Sequence, residues 1–209
     1  MINQKKIQFF SKETNKFYQL YGDPPTLKIS GVPMHRHIKM NPLQDTKTKI
    51  NAVKPYGIVL DTCTGLGYTA IYAAQLKNVK KVITIEKDKN VIEIAKLNLY
   101  SKELFENKKI ILINDDVTKK IKEFSKETFD TIIHDPPTFS LAPELYSKEF
   151  YKEIWEVLKK NGKLWHYCPS PGKTKNKNNF KPKIISNLKK IGFRRVFLDE
   201  ISSGIICLK

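Results

Sequence analysis

The sequence contains few cysteines. Its three, Cys63, Cys168 and Cys207, lie far apart in a chain of 209 residues. No C-x-x-C pair or paired Cys/His spacing occurs, which argues against a disulfide framework and against a metal site. A run of about 18 apolar residues is also missing, so no membrane span is predicted. Because the start, MINQKKIQFF, lacks the features of a signal peptide, we expect a cytoplasmic protein.

Acidic residues and arginine are scarce as well. Asp and Glu number 21 against 38 Lys and Arg, which gives a net charge of +17, and only three of the basic residues are arginine. A surface this positive favours a polyanion such as nucleic acid or an acidic lipid face, with a lysine-rich or heat-adapted surface as the alternative. The hydrophobic residues, 40% of the chain, can form a substantial core, which excludes a disordered tail.

Strand and helix patterns alternate from residue 57 onward, with a long helix expected over 143–160. This alternation predicts a buried parallel sheet with helices on both faces. The last two strands are joined by SSG alone, which predicts an antiparallel hairpin. The expected fold class is α/β: a Rossmann-like, doubly wound, mostly parallel seven-stranded sheet with an antiparallel C-terminal edge hairpin and a short N-terminal extension. The predicted strands are GIVLD, KVITIE, IILIN, FDTIIHD, GKLWHYC, FRRVFLDEI and GIICLK.

Residues 1–43 break this alternation with a basic, aromatic start and a Gly-Asp-Pro-Pro turn. We expect them to form an extension packed on or over the sheet, as a substrate or lid segment. Residues 44–209 are expected to form the main domain, which should bind ligands at the carboxyl ends of its strands.

Asp61 ends the first strand, in VLDTCTGLGYTA, and is followed by Gly65, Gly67 and a helix. Glycines let the backbone approach a ligand closely, and a helix start offers free N–H donors. Gly65, Gly67 and Ala70 satisfy G-x-G-x-x-A, a weak dinucleotide fingerprint that keeps a dehydrogenase open. Asp61 would repel a pyrophosphate and attract a cation, which favours S-adenosylmethionine, a cofactor with an ammonium and a sulfonium but no phosphate.

Acids also follow the next two strands. Glu86 ends the second strand, where an acid accepts hydrogen bonds from ribose hydroxyls. Asp115 and Asp116 follow the third strand, where an adenine amino group could be received. Each acid alone could be a helix N-cap, but acids at three successive strand ends favour a nucleoside-containing cofactor.

These segments resemble the first three motifs of class I S-adenosylmethionine-dependent methyltransferases, over about residues 44–209. Cys63 departs from that family, which often has a third glycine there. The resemblance implies S-adenosyl-L-methionine as the cofactor. The residues implied to bind it are Asp61, Thr62, Gly65, Gly67, Glu86, Asp115 and Asp116.

The tetrapeptide Asp-Pro-Pro-Thr occurs twice. We interpret the first copy, 23–26, as a turn, because proline favours turns and cannot donate to a ladder. The second copy follows an apolar strand, and Asp135-Pro136-Pro137 resembles the fourth motif of amino-group methyltransferases. That resemblance implies that Asp135 and the Pro136 carbonyl accept the hydrogens of an amine, with the prolines stiffening the loop. Phe139 is expected to stack on a base, since Thr138 occupies the usual aromatic position.

HDPPTF and SGVPMHR are similar to an archaeal group of RNA methyltransferases. The resemblance implies methylation of an exocyclic amino group of a base in rRNA or tRNA, with cytosine N4 favoured and the base single-stranded or flipped. RNA phosphates would be contacted by basic side chains in two segments. The candidates are His35, Arg36, Lys173, Lys175 and Lys177.

Other functions stay open. Aminopropyl transfer or small-molecule methylation can use the same fold, although a cationic polyamine is expected to fit a protein of net charge +17 badly. A basic RNA-binding factor without turnover is another alternative. His134 could act as a base and Cys168 as a nucleophile, but a hydrogen-bonded histidine and an inert buried thiol are the commoner states.

Overall fold

The computed structural model describes residues 7–36, 40–168 and 180–209. Within them, the first four strands form a small antiparallel sheet in chain order, which confirms an N-terminal extension with its own structure. Asp23 and Pro24 form the turn between the second and third strands, as expected for the first Asp-Pro-Pro-Thr copy. The strands are β1 (Gln8–Ser11), β2 (Lys16–Gly22), β3 (Pro25–Ile29) and β4 (Val32–Pro33).

The other seven described strands form the main sheet. They are β5 (Gly57–Asp61), β6 (Val79–Glu86), β7 (Ile110–Asn114), β8 (Phe129–His134), β9 (Leu158–Tyr167), β10 (Arg194–Asp199) and β11 (Gly204–Leu208). Their order is β10-β11-β9-β8-β5-β6-β7. β11 runs antiparallel to both of its neighbours, while β9, β8, β5, β6 and β7 pair in parallel. The predicted seven-stranded fold with a C-terminal hairpin is confirmed, and strand order reverses between β5 and β8, where such sheets bind ligands.

Helices cover both faces of this sheet. The α-helices are α1 (Pro42–Val53), α2 (Tyr68–Ala74), α3 (Lys89–Lys96), α4 (Lys102–Glu106), α5 (Val117–Lys120), α6 (Lys148–Val157) and α7 (Phe180–Ile191). Successive strand residues face opposite layers. Val59 packs in the layer of α1 to α3, whereas Leu60 packs in the layer of α5 to α7. None of the described helices has the length and apolar content that a membrane crossing requires.

The prediction of one long helix over 143–160 is wrong at both ends. A short 3-10 turn occupies Pro143–Tyr146, and α6 begins only after Ser147, whose hydroxyl accepts from the Phe150 N–H at 3.1 Å. β9 begins at Leu158 instead of continuing the helix. The Lys159 ammonium contacts the Asp130 carboxylate of β8 at 2.9 Å, which stabilises the extended conformation there.

The small sheet is fixed to the main domain by buried hydroxyl groups. Tyr18 of β2 is fully buried, and its hydroxyl donates to Asp88, just before α3, at 2.5 Å. The Tyr68 hydroxyl of α2 donates to the Pro25 carbonyl at 2.8 Å. The extension therefore lies over the carboxyl ends of the strands. The domain division proposed at residue 43 falls in the first turn of α1 and stays a prediction.

Candidate active site

Asp61 lies fully buried beneath the loop that follows β5. Its Oδ2 accepts hydrogen bonds from the Thr84 hydroxyl at 2.8 Å and the Thr69 hydroxyl at 3.1 Å, while its Oδ1 has no partner among the described residues. Burial raises the pKa of Asp61 to about 7. The carboxyl supports the floor of the site and is not part of the cleft lining, so direct contact with a cofactor stays a prediction.

Glu86 connects the first two strand ends. Its Oε2 accepts from the Gly65 N–H at 2.9 Å, and its Oε1 accepts from the Asp88 N–H at 3.0 Å. Burial raises the pKa of Glu86 to about 7, against the effect of these backbone donors. The structure therefore brings Glu86 and the glycine loop together, as the sequence suggested.

The acids after β7 line the same cleft. Asp116 caps α5 by accepting from the Thr118 N–H at 2.9 Å, and it contacts the Lys87 ammonium at 2.7 Å. Although burial opposes the change, Lys87 and Thr118 lower the pKa of Asp116. Asp115 accepts from the Asp116 N–H at 2.7 Å. The N-cap interpretation holds for Asp116, which faces the cleft as well.

The cleft has an outer and an inner chamber beneath the N-terminal sheet. The outer chamber, about 800 Å³, lies between β3, β4 and the ends of β5 to β7. The inner chamber, about 110 Å³, is lined by Asp135, Pro136, Lys49 and His35. Cys63, Glu86 and Pro137 line both chambers, which are therefore contiguous.

The lining of the outer chamber is acidic although the protein is basic. Acids outnumber lysines, and a concave surface of one sign concentrates ligands of the opposite sign. The cleft is therefore suited to a cationic ligand. The acids are Glu13, Glu86, Asp88, Asp115, Asp116 and Glu144, and the lysines are Lys16, Lys87 and Lys89.

Asp135 is bound by a lysine that sequence reasoning missed. Its Oδ2 lies 2.6 Å from the ammonium of Lys49, and that ammonium also contacts Asp45 Oδ2 at 2.8 Å. Burial raises the pKa of Asp135, and Lys49 opposes this rise. Although its own burial has the opposite effect, the two carboxylates raise the pKa of Lys49. A signal was present, because Asp45 and Lys49 are four residues apart on the same helical face as Ile50 and Val53.

The Asp-Pro-Pro loop is held from behind by Tyr146, whose hydroxyl donates to the Pro137 carbonyl at 2.9 Å. Pro136 and Pro137 line the inner chamber. Phe139 is half-exposed and packs against the rings of Phe180 and Tyr146, with centroids 5.5 and 5.7 Å away. It lies outside the lining of both chambers, so its predicted stacking on a base has no geometric support.

His134 is hydrogen-bonded at both ring nitrogens and Cys168 is buried, which argues against a catalytic role for either. The Nε2–H of His134 donates to the Leu145 carbonyl at 2.9 Å, so its Nδ1 accepts from the Thr62 hydroxyl at 2.7 Å. Burial lowers the pKa of His134 to about 4, which keeps the ring neutral. Cys168 is fully buried, and burial raises the pKa of its thiol to about 11, which disfavours a nucleophilic thiolate.

The proposed phosphate contacts are not supported where the structure describes them. The guanidinium of Arg36 is engaged internally with Asp45, with Ser203 Oγ at 2.5 Å and with the Ile201 carbonyl at 3.0 Å. His35 lines the inner chamber, and its Nδ1 lies 3.0 Å from the Thr26 hydroxyl. The remaining candidates, Lys173, Lys175 and Lys177, lie outside the described residues.

Comparisons with known proteins identify relatives. Residues 57–197 match the family model of the spermine/spermidine synthase domain. An uncharacterised protein of Methanocaldococcus jannaschii is 49% identical over 198 residues, 93% of this chain and 68% of that protein. The polyamine aminopropyltransferase of Saccharolobus solfataricus is 36% identical over 127 residues, 58% of this chain and 42% of the enzyme's length. A spermidine synthase crystallised with the transition-state analogue AdoDATO shares the fold at 18% identity, with a TM-score of 0.77 over 97% of this chain and 73% of that one.

These matches show that the hypothesis of base methylation in RNA is wrong, as is the expected RNA partner. The physical reasons lie in the site. An acidic cleft repels a phosphate backbone, and the net charge of +17 resides elsewhere on the molecule. The resemblance implied that the Asp-Pro-Pro loop aims a carboxylate at an amine, and an aliphatic amine meets this requirement as well as an exocyclic base amine does. The objection that a cationic substrate suits this protein badly is also wrong, because the lining of the cleft is acidic although the whole protein is basic.

Proposed function

The chain belongs to the spermine/spermidine synthase domain family, and we propose that it transfers an aminopropyl group from a decarboxylated S-adenosylmethionine-type donor to an aliphatic amine. Its fold, its acidic cleft and the position of Asp135 in the inner chamber support this activity.

One observation favours a decarboxylated donor over S-adenosylmethionine itself. Among the described residues, Lys49 is the only lysine or arginine that lines the inner chamber, and its ammonium already contacts Asp45 and Asp135. A donor that retained its carboxylate would find no free lysine or arginine among the described lining residues, and burying an unpaired carboxylate is costly. A donor with a free ammonium would meet Glu86 and Asp135 instead. The chamber therefore favours the decarboxylated form.

The residues around the cleft fit the nucleoside part of such a donor. Glu86, Asp115 and Asp116 present carboxylates to the outer chamber, as hydrogen bonds from ribose hydroxyls and an adenine amino group require. Gly65 lines the inner chamber with a φ of +54°, and a Cβ there would meet no protein atom within 4 Å, so its bare backbone leaves space for a ligand.

Asp135 would receive the acceptor amine. When bound, the donor supplies a carbon made electrophilic by its sulfonium. Asp135 accepts an N–H of the amine and takes its proton as the C–N bond forms and the C–S bond breaks, with the electron pair left on sulfur in a neutral thioether. Pro136 and Pro137 stiffen the loop, and Tyr146 anchors it through the Pro137 carbonyl, so the carboxylate is held in position before reaction.

The test supplies the two donors in parallel. The full-length protein is incubated with isotope-labelled decarboxylated S-adenosylmethionine or labelled S-adenosylmethionine and a panel of short aliphatic diamines and triamines, and products are identified by mass spectrometry. We expect aminopropyl addition to at least one amine, and loss of that product in Asp135→Asn. Absence of aminopropyl products with every amine, or a labelled product from S-adenosylmethionine alone, would refute the proposal.

A further inference from the structure

Four side chains of alternating charge connect the N-terminal segment to the candidate catalytic loop. Arg36 forms an ion pair with Asp45, Asp45 with Lys49 at 2.8 Å, and Lys49 with Asp135 at 2.6 Å. Asp45 is fully buried, and Lys49 is nearly so. The family model matches residues 57–197, so of these four side chains it includes only Asp135.

Lys49 has little freedom to move away from its partners. It lies one helical turn after Asp45 on the buried face of α1, next to Thr46 and Ile50. Its ammonium lies 5.5 Å from the ring of Trp165 and 5.8 Å from the ring of another β9 aromatic, Tyr167. A buried ammonium is tolerated only when it is paired, so its two carboxylates fix its position.

We propose that Lys49 is a positioning residue that keeps the Asp135 carboxylate ionised and oriented in the inner chamber, and that Asp45 and Arg36 set how strongly it does so. This inference deepens the proposed function and rests on it only in assigning Asp135 to the acceptor amine. A carboxylate buried without a cation would tend to take up a proton, and a protonated Asp135 could not accept the proton of an incoming amine.

The Asp45 and Asp135 carboxylates compete for the ammonium of Lys49, so the proposal predicts a distinctive pair of pKa shifts at Asp135. Loss of Lys49 would leave Asp45 and Asp135 facing each other without the cation between them, so Asp135 would bind a proton more tightly. Loss of the Asp45 charge would leave the whole ammonium to Asp135 and weaken its hold on a proton. Substitutions of Lys49 and Asp45, which contact each other directly, should therefore shift the pKa of Asp135 in opposite directions, which general loosening of the structure would not produce.

The other titratable groups around Asp135 can be separated from this effect. Burial raises the pKa of Cys63, of Tyr146 and of Tyr167, so these groups keep their protons across the physiological range. The adjacent His134 is neutral, since burial lowers its pKa to about 4. The carboxyl of Asp61 also interacts with Asp135, so an Asp61→Asn background removes its titration from the measurement.

The test is a ¹³C NMR titration of the Asp135 side-chain carboxyl, assigned by its disappearance in Asp135→Asn. We expect Lys49→Met to raise the pKa of Asp135 by roughly one to three pH units and Asp45→Asn to lower it. Lys49→Arg keeps the charge, so the pKa of Asp135 in this variant should stay close to its value in the unsubstituted protein. The same directions should persist in the Asp61→Asn background.

An unchanged pKa in Lys49→Met, or shifts of the same sign in Lys49→Met and Asp45→Asn, would overturn the proposal. Should Lys49→Met not fold, Asp45→Asn decides alone, because it retains Lys49 and a rise or no change would refute the assigned role. The titration requires no turnover, so it distinguishes the two proposals. Opposite shifts without aminopropyl transfer would refute the proposed function and leave the role of Lys49 intact.

Discussion

The carboxylate of Glu86 accepts the backbone N–H of Gly65 at 2.9 Å, which joins the end of β6 to the glycine loop after β5. Such a bond fixes the loop before a ligand arrives. The same side chain lines both chambers, so Glu86 holds the loop while it faces the proposed donor. Its role can be separated from that of Asp135, which lies in the loop after β8, on the other side of β5.

Glu86→Gln tests donor binding. The substitution removes the charge and keeps an acceptor oxygen for only one of the two backbone donors, the N–H groups of Gly65 and Asp88. Hydrogen bonds to charged groups contribute about 1.5–3 kcal/mol. We expect the Kd of decarboxylated S-adenosylmethionine, measured by calorimetry, to rise roughly 10- to 100-fold. Glu93→Gln is the matched control, because Glu93 lies on α3 and pairs on the surface with Lys96. Equal affinities for the two variants would mean that Glu86 does not contact the donor.

Asp61 predicts an unusual dependence of stability on pH. Burial raises its pKa to about 7, so the folded protein binds a proton that the unfolded chain releases near its ordinary value of 3.8. The free energy of unfolding should therefore fall as pH rises between about 4 and 7, by an amount on the order of a few kcal/mol. Glu86, with its pKa raised to about 7, acts in the same direction.

Asp61→Asn should flatten this slope. Compared with the unsubstituted protein, the variant should therefore gain more stability at pH 8 than at pH 5. Urea unfolding curves at several pH values give the comparison, with Glu93→Gln as an exposed acid that should leave the slope unchanged. A slope in Asp61→Asn as steep as that of the unsubstituted protein would show that the Asp61 carboxyl is ionised in the folded state at pH 5.

Tyr146→Phe tests whether the Asp-Pro-Pro loop must be held. The change removes the hydroxyl that donates to the Pro137 carbonyl but keeps the ring, which packs against Phe139 and Phe180. A neutral hydrogen bond contributes about 1 kcal/mol, so kcat should fall about fivefold with donor affinity nearly unchanged. Tyr56→Phe, at the amino-terminal end of the sheet, should leave kcat as it is. An undiminished kcat in Tyr146→Phe would indicate that the prolines alone hold the loop.

Much of the fold follows from the sequence because its signals are local. The alternation of apolar strands and helices predicted the seven strands of the main sheet, and the short SSG link predicted the hairpin of β10 and β11. The early start of β9 escaped prediction because Lys159 and Lys160 continue a helical polar face, while the pairing of Lys159 with Asp130 depends on a strand 29 residues earlier. Such cross-strand contacts leave no trace in a local pattern.

The site was predicted only in part for the same reason. Sequence reasoning placed Glu86, Asp116 and Asp135 at the carboxyl edge of the sheet because each lies at the end of an apolar strand. The structure places them in the lining of the cleft, and their roles there stay predictions. Lys49 was missed because its importance depends on Asp135, which lies 86 residues later. The predicted substrate class was wrong because the net charge is summed over the whole surface, whereas a ligand responds to the charges that line its cleft.

Tyr18→Phe tests how the N-terminal sheet is attached over the cleft. The Tyr18 hydroxyl donates to the Asp88 carboxylate at 2.5 Å, and Asp88 also caps α3 by accepting from the Asn90 N–H at 2.9 Å. Removing this part-buried hydrogen bond to a carboxylate should lower the free energy of unfolding by roughly 2 kcal/mol. β3 and β4 contribute to the walls of the outer chamber, so a looser sheet should also weaken donor binding.

Tyr21→Phe, on the exposed side of the same sheet, is the matched control, because Tyr21 keeps its contact with Lys28 through the ring. Urea unfolding and calorimetry with the decarboxylated donor measure both effects. A loss of stability without any loss of affinity would mean that the sheet stabilises the fold but does not shape the donor site.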